Sequence, residues 1–177
     1  VLFRSTSTED LEGASFRAYN AATERLAQLM GAVPTQVETG DIPTAFATGR
    51  VDAMITSPST GVSSQAWDFT SHFTDTQAWL PKNMVIANTA MLDGLDGETR
   101  AAIMEAAEAA EERGWEMSAA ETEAGIATLA ENGMTISQPT ETLAGQMAEI
   151  GETMTQEWLE DAGEAGAAVI EDYEGSM

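Results

Sequence analysis

Ala14-Ser15-Phe16-Arg17-Ala18-Tyr19-Asn20-Ala21-Ala22-Thr23 decides the fold, because a short strand-forming run passes directly into a helical stretch. Strand one is predicted at Ala14 to Tyr19, and a helix from Ala21 to Met30 ends at Gly31. Strand two reads as Thr35 to Glu38. Asp41 then suits a helix N-cap, Pro43 falls in the first turn and Gly49 takes the position just past the helix end. Strand three, Val51 to Ile55, completes a β-α-β-α-β pattern, the sign of a parallel α/β unit.

Further along, a helix from Gly61 to Phe69 leads into a strand-like segment, Thr76 to Leu80. Pro81 and Lys82 separate it from the apolar run Met84-Val85-Ile86-Ala87-Asn88. Residues Gly97 to Ala130 read as one long helix, with Met104, Ala107, Trp115, Ala119, Thr122, Ile126 and Leu129 tracing a stripe along it. Such a helix spans about 50 Å, whereas a compact chain of this size is about 40 Å across. It overreaches one domain, so it is expected to lean on two lobes. After Gly133, Met134 to Ser137 reads as a short strand closed by Pro139, and two helices follow at Thr140 to Ala162 and Glu164 to Tyr173.

The 177 residues are 43% hydrophobic, enough to bury a core. Seven Lys and Arg stand against thirty Asp and Glu, a formal net charge of −23. That balance excludes phosphate-backbone recognition, so no nucleic acid is expected as a partner, and anionic membrane surfaces repel the chain. The chain has no cysteine, which rules out disulfide frameworks and thiolate zinc sites. No apolar run approaches the ~20 residues of a membrane-spanning helix. The opening Val1-Leu2-Phe3-Arg4-Ser5 fits no capping or strand logic, and residues 1–8 are expected to form a non-native or disordered tail.

Arg17 is the leading candidate for chemistry. Side chains alternate along a strand, so Ser15, Arg17 and Tyr19 share one face while Phe16 takes the other. In open parallel sheets the ligand crevice lies beyond the carboxyl ends of the strands, where Arg17, Tyr19 and Asn20 would emerge. A structural salt bridge to one of the many carboxylates is the alternative. Strand three runs into Thr56-Ser57-Pro58-Ser59-Thr60-Gly61, whose hydroxyls and free helical N–H groups suit an anion or a polyhydroxylated solute. N-capping by Ser59 or Thr60 explains part of that cluster equally well. Trp67 could stack on a planar or apolar part of a ligand or fill the core; Trp79, Trp115 and Trp158 are assigned to packing. With His72 the only histidine, zinc clusters and Ser-His-Asp catalysis have little to draw on. Asp93-Gly94-Leu95-Asp96-Gly97-Glu98 fails as a calcium loop, because Leu95 occupies a ligand position.

Several runs together resemble the solute-binding proteins of TRAP (tripartite ATP-independent periplasmic) transporters. They are Asp10-Leu11-Glu12-Gly13 leading to Phe16-Arg17, Asn20-Ala21-Ala22-Thr23, Leu29-Met30-Gly31-Ala32-Val33-Pro34-Thr35, Ala45-Phe46-Ala47-Thr48-Gly49-Arg50-Val51-Asp52-Ala53, and Leu80-Pro81-Lys82-Asn83. The chain is identified as an N-terminally truncated member of that DctP family. The resemblance implies a periplasmic-binding-protein-like α/β fold of two lobes closing on a small organic acid. Residues 9–75 and 131–173 would form the ligand-binding lobe, and residues 76–130 the hinge crossing, part of the other lobe and a long bracing helix.

It further implies that Arg17 grips the ligand carboxylate, with Tyr19, Asn20, Thr56, Ser57, Thr60 and Trp67 as further contacts. Ala53 departs from the family's usual Val-Asp-Gly step. The implied protein is a periplasmic monomer, its signal peptide upstream, that delivers its ligand to TRAP permease subunits. It is not an enzyme and needs no cofactor or metal. The rivals are a ligand-sensing module for a signalling partner and a lyase or isomerase acting on a similar acid.

Net charge and ligand charge are in conflict, since the far field repels an anion. Screening resolves it, because fields fade over about 8 Å at physiological ionic strength and faster in seawater-like media. The local guanidinium then governs, and a saline habitat fits. Melting temperature is predicted to rise with added sodium chloride in a thermal-denaturation series; a flat or falling response contradicts this.

Overall fold

The computed structural model describes residues 5–79 and 83–176. Strands β1 (Ser15–Ala18), β2 (Val33–Gln36) and β3 (Ala53–Met54) form a parallel sheet in the order β2-β1-β3. Helix α1 (Ala21–Leu29) connects β1 to β2, and α2 (Ile42–Ala47) connects β2 to β3. The register places Phe16 beside Pro34 and Ala53, and Arg17 beside Thr35 and Met54.

Both faces of the sheet are covered, as parallel sheets require. One face puts Phe16, Ala53 and Ile55 against Leu26, Ala27 and Met30 of α1 and against Leu143 and Met147. The other puts Met54 against Ile42 and Ala45 of α2, with Val37, Phe73, Leu129 and Met134. The outer positions of β2 are blunted. Pro34 has no N–H to offer there, and Arg50 Nη2 donates to the Gln36 carbonyl at 2.8 Å.

Helix α1 starts where the sequence says it should. Asn20 Oδ1 accepts from Thr23 N at 2.8 Å, and Thr23 Oγ1 accepts from Asn20 N at 3.2 Å, a reciprocal cap that satisfies two free amides. Its end is set by Gly31, at φ 74°, a left-handed conformation that glycine adopts without steric cost. Asp41 precedes α2 as expected, but its side chain makes no capping hydrogen bond.

The expected helix from Gly61 to Phe69 is divided. Helix α3 runs Pro58–Ser63, and a 3-10 turn, Ala66–Asp68, follows a left-handed Gln65. Ser63 and Ser64 explain the stop, because their hydroxyls bond back to Thr60 O and Gly61 O and compete with helical amides. The strand expected from Thr76 is absent over residues 76–79, where Gln77 sits at φ 48°; Leu80, Pro81 and Lys82 lie outside the described residues. The strand lies earlier, as β4 (His72–Thr74), paired in parallel with β5 (Thr135–Ser137). Residues 84–88 form no strand and are exposed, Val85 fully.

After a short helix α4 (Thr89–Asp93), helix α5 covers Gly97–Glu131 as one element of 35 residues. Every residue from 97 to 124 is exposed, and burial begins at Gly125, Ile126 and Leu129. There α3 crosses α5 closely: a Cβ on Gly125 would stand 3.0 Å from Pro58 Cβ, and one on Gly61 3.4 Å from Leu129 Cδ2. Helix α6 (Glu141–Gly175) is helical on both sides of a break at Gly163, φ 60° and ψ −148°, which yields the two helices read from the sequence. A forked ion pair between Arg25 and Glu157, with Nε–Oε2 at 2.9 Å, straps α1 to α6.

Residues 5–8 differ from the expected disordered tail. Ser5 is buried, Thr6 N donates to Asp10 Oδ2 at 2.7 Å, and Thr8 N donates to Gln146 Oε1 on α6 at 2.9 Å. The Thr8–Gln146 bond docks the segment on α6; residues 1–4 lie outside the described set.

Two substitutions test this packing. Asn20→Ala removes the cap acceptor and is expected to cost about 1 kcal/mol. Gly125→Val drives a branched side chain into Pro58, at roughly 1–3 kcal/mol. Urea denaturation followed by circular dichroism should show both losses, and a wild-type midpoint for Gly125→Val would refute the close crossing.

Candidate functional site

A cavity of about 250 Å³ opens at the carboxyl ends of the sheet, lined by Arg17, Tyr19, Thr39, Ile55, Thr56, Ser57, Thr60 and Trp79. Its location follows from topology. With strand order 2-1-3, the connections from β1 and β2 leave on opposite faces, and the crevice falls at the resulting switch point.

Arg17 projects from the β1 backbone on the face of its register partner Met54, and only 2% of the residue is accessible. Its Nε donates to Val37 O at 2.9 Å and its Nη2 to Thr39 Oγ1 at 3.3 Å. The Tyr19 ring lies against it, 4.8 Å from centroid to Cζ, at cation–π distance. Among the described residues no carboxylate pairs with it; the ion pairs are Arg25–Glu157 and Arg100–Asp93. The salt-bridge alternative for Arg17 therefore does not hold.

Burial pushes the Arg17 pKa below its ordinary value, opposed by Tyr19 and the Glu38 carboxylate. Arginine nevertheless keeps its proton in proteins. The site thus holds a desolvated cation whose own protein contacts are neutral, an arrangement that an anion in the cavity stabilises.

The opposite wall begins where β3 ends. Ile55 supplies an apolar surface, and the hydroxyls of Thr56, Ser57 and Thr60 follow. Ser57 caps α3, accepting from Thr60 N at 3.1 Å, and its hydroxyl donates to Thr60 Oγ1 at 3.1 Å. That leaves the Thr60 hydroxyl proton free to donate outward. The Thr56 hydroxyl makes no hydrogen bond among the described residues, so it too is available. At six residues, α3 contributes hydroxyls here more than a helix dipole.

Of the residues singled out in the sequence, the fold brings together Arg17, Tyr19, Thr56, Ser57 and Thr60. Asn20 is elsewhere, spent on the cap of α1. Trp67 packs against the core cluster that contains Met54 and Leu129 and does not line the cavity. Trp79 does line it, while also packing against the core cluster that contains Phe16 and Ile55. Sequence reasoning did not single out Thr39, Ile55 and Trp79 for the cavity that they line. Thr39 had a signal, since it lies just past strand two in the region where the first and third strands supplied candidates.

The described residues contain no group of His, Cys, Asp or Glu arranged to hold a metal ion and no helix long and apolar enough to cross a membrane. What the cavity can do is bind: its lining offers one fixed cation, four aliphatic hydroxyls, the Tyr19 ring and two apolar walls, and includes no His, Cys, Asp or Glu.

The sequence matches the family described as DctP, bacterial extracellular solute-binding protein, family 7, over residues 5–161. Two Bordetella pertussis extracytoplasmic solute receptors binding pyroglutamic acid are similar to it, at 44% and 38% identity, each with a TM-score of 0.89. They match over 97% and 96% of this chain. A marine metagenome TRAP solute-binding protein specific for pyroglutamate is 34% identical over 98% of the chain, with a TM-score of 0.87. The chain spans 56–57% of the length of these three proteins. Among curated proteins no match is found. With the family matched over most of its length and its fold shared by three solute receptors, the chain belongs to the DctP family of TRAP-transporter solute-binding proteins, which are binding proteins and not enzymes.

Proposed function

We propose that this chain carries the carboxylate-binding lobe of an extracytoplasmic receptor for a small organic acid of the pyroglutamate type. The observation that carries this reading is Arg17, a buried guanidinium without a counter-carboxylate, facing a cavity at the switch point of the sheet. A planar fork donating two charge-assisted hydrogen bonds suits a carboxylate in a way that a lysine point charge does not. The body of the ligand then lies between Ile55 and Trp79, and the hydroxyls of Thr56 and Thr60 reach the ring carbonyl of a lactam. The ligands of the three similar receptors favour pyroglutamate as the first candidate.

The rest of the receptor follows from exposed surface. Residues 9–75 and 131–173 form the ligand-binding lobe, and residues 76–130 cross to and brace a second one. Helix α5 presents Ile103, Met104, Trp115 and Met117 to solvent, and Met84, Val85 and Ile86 are exposed as well, apolar groups suited to burial against a second lobe. Closure of two lobes around the acid shifts the population toward a closed form. That form delivers the ligand to the membrane permease of a TRAP transporter. Export requires a signal peptide, which we place upstream of Val1.

One lobe alone offers half of the contacts, so binding to the 177-residue chain is expected to be weak, on the order of millimolar. A titration with pyroglutamate, followed in ¹⁵N–¹H NMR spectra at the Trp79 indole N–H and the Arg17 Nε–H, should shift both signals saturably. Arg17→Ala leaves the anion unpaired, at about 3–5 kcal/mol or roughly two to four decades in affinity, and should abolish the Trp79 shift. Undiminished binding by Arg17→Ala, or no shift in the wild-type chain, overturns the reading.

A further inference from the structure

The contacts that hold Arg17 also decide which edge of it remains open. A guanidinium offers one edge made by Nε and Nη2 and another made by Nη1 and Nη2. The first is committed within the protein, Nε to Val37 O at 2.9 Å and Nη2 to Thr39 Oγ1 at 3.3 Å. Nη1 has no hydrogen-bond partner among the described residues. The Tyr19 ring, 4.8 Å from Cζ, restricts the plane of the group. A ligand carboxylate must therefore arrive at the outer edge.

Thr39 is the adjustable part of this mount, since Val37 contributes a backbone carbonyl that no side-chain change can remove. Its position is set from the core. Ile42, fully buried, anchors the 3-10 turn Thr39–Asp41, and its N–H donates to Thr39 O. The Thr39 hydroxyl accepts from Nη2 and gives its own proton to no acceptor among the described residues, while its side chain lines the cavity. Glu38, next in sequence, accepts from Gln36 Nε2 at 3.3 Å and forms no ion pair with Arg17.

We propose, resting on the organic-acid reading of this cavity, that Thr39 is a positioning residue that holds Arg17 for end-on capture of a carboxylate by Nη1 and Nη2, and that its hydroxyl proton serves as a third donor to that carboxylate. The guanidinium alone would supply attraction; Thr39 supplies its direction.

The test compares Thr39→Val, which keeps the shape and removes the hydroxyl, with Thr39→Ser, which keeps the hydroxyl. Both are made in the 177-residue chain, with circular dichroism confirming an unchanged fold. In the pyroglutamate titration, Thr39→Val is expected to weaken binding about tenfold and Thr39→Ser to stay within roughly twofold of wild type. Without ligand, hydrogen exchange at Arg17 Nε–H should accelerate several-fold in Thr39→Val and stay at the wild-type rate in Thr39→Ser. Equal affinities for wild type and Thr39→Val, equal losses in both variants, or unchanged exchange overturns the proposal. A wild-type chain that ignores pyroglutamate refutes the organic-acid reading instead, and the ligand-free exchange rates still decide whether Thr39 holds Arg17.

Discussion

A cation held out of water without a counter-ion is the constraint on which the rest of this structure depends. Taking a guanidinium from water costs several kcal/mol unless its donors find partners. Here Val37 O, Thr39 Oγ1 and the Tyr19 ring offset part of that cost without cancelling the charge. The chain has thirty carboxylates, and keeping all of them from pairing with Arg17 is a matter of topology. Arg17 emerges where the ends of β1, β2 and β3 converge, and the nearby segments bring hydroxyls, an aliphatic side chain and an indole.

That convergence is itself a packing result. Phe16 and Ala53 anchor one face of the sheet on α1 and α6, while Met54 and Val37 anchor the other on α2 and α5. With both faces sealed, the rim at the carboxyl ends is the place where a polar cavity can open. The Gly125–Pro58 approach brings α3 down on α5, which sets the position of the Ser57 and Thr60 hydroxyls relative to Arg17. The forked Arg25–Glu157 pair closes the opposite face by fastening α1 to α6.

Much of this was legible in the sequence because the signals are local. The start of α1 is legible at Ala21 in the change from strand-like to helical text, Gly31 and Gly49 mark left-handed stops, and Gly163 breaks α6 where the text changes from one helix to the next. The length of α5 followed from an uninterrupted run of helix formers. What stayed hidden depends on competition or on distant partners. Ser63 and Ser64 turn their hydroxyls back on their own helix, and β4 exists because residues more than sixty positions later pair with it. At the site, Arg17 stood out by rarity and strand position. Asn20 and Trp67 do not line the cavity, because one is spent on a helix cap and the other on packing, roles that composition alone does not separate from a ligand contact; Trp79 serves both core and cavity.

The treatment of β2 has a consequence for how such a polypeptide behaves in concentrated solution. An outermost strand with free amides and carbonyls is a template onto which other chains can add. On this flank Pro34 has no N–H to donate and the Arg50 guanidinium occupies the Gln36 carbonyl, so intermolecular sheet growth meets an interrupted hydrogen-bond ladder. Fibril-like association is thereby discouraged on that side.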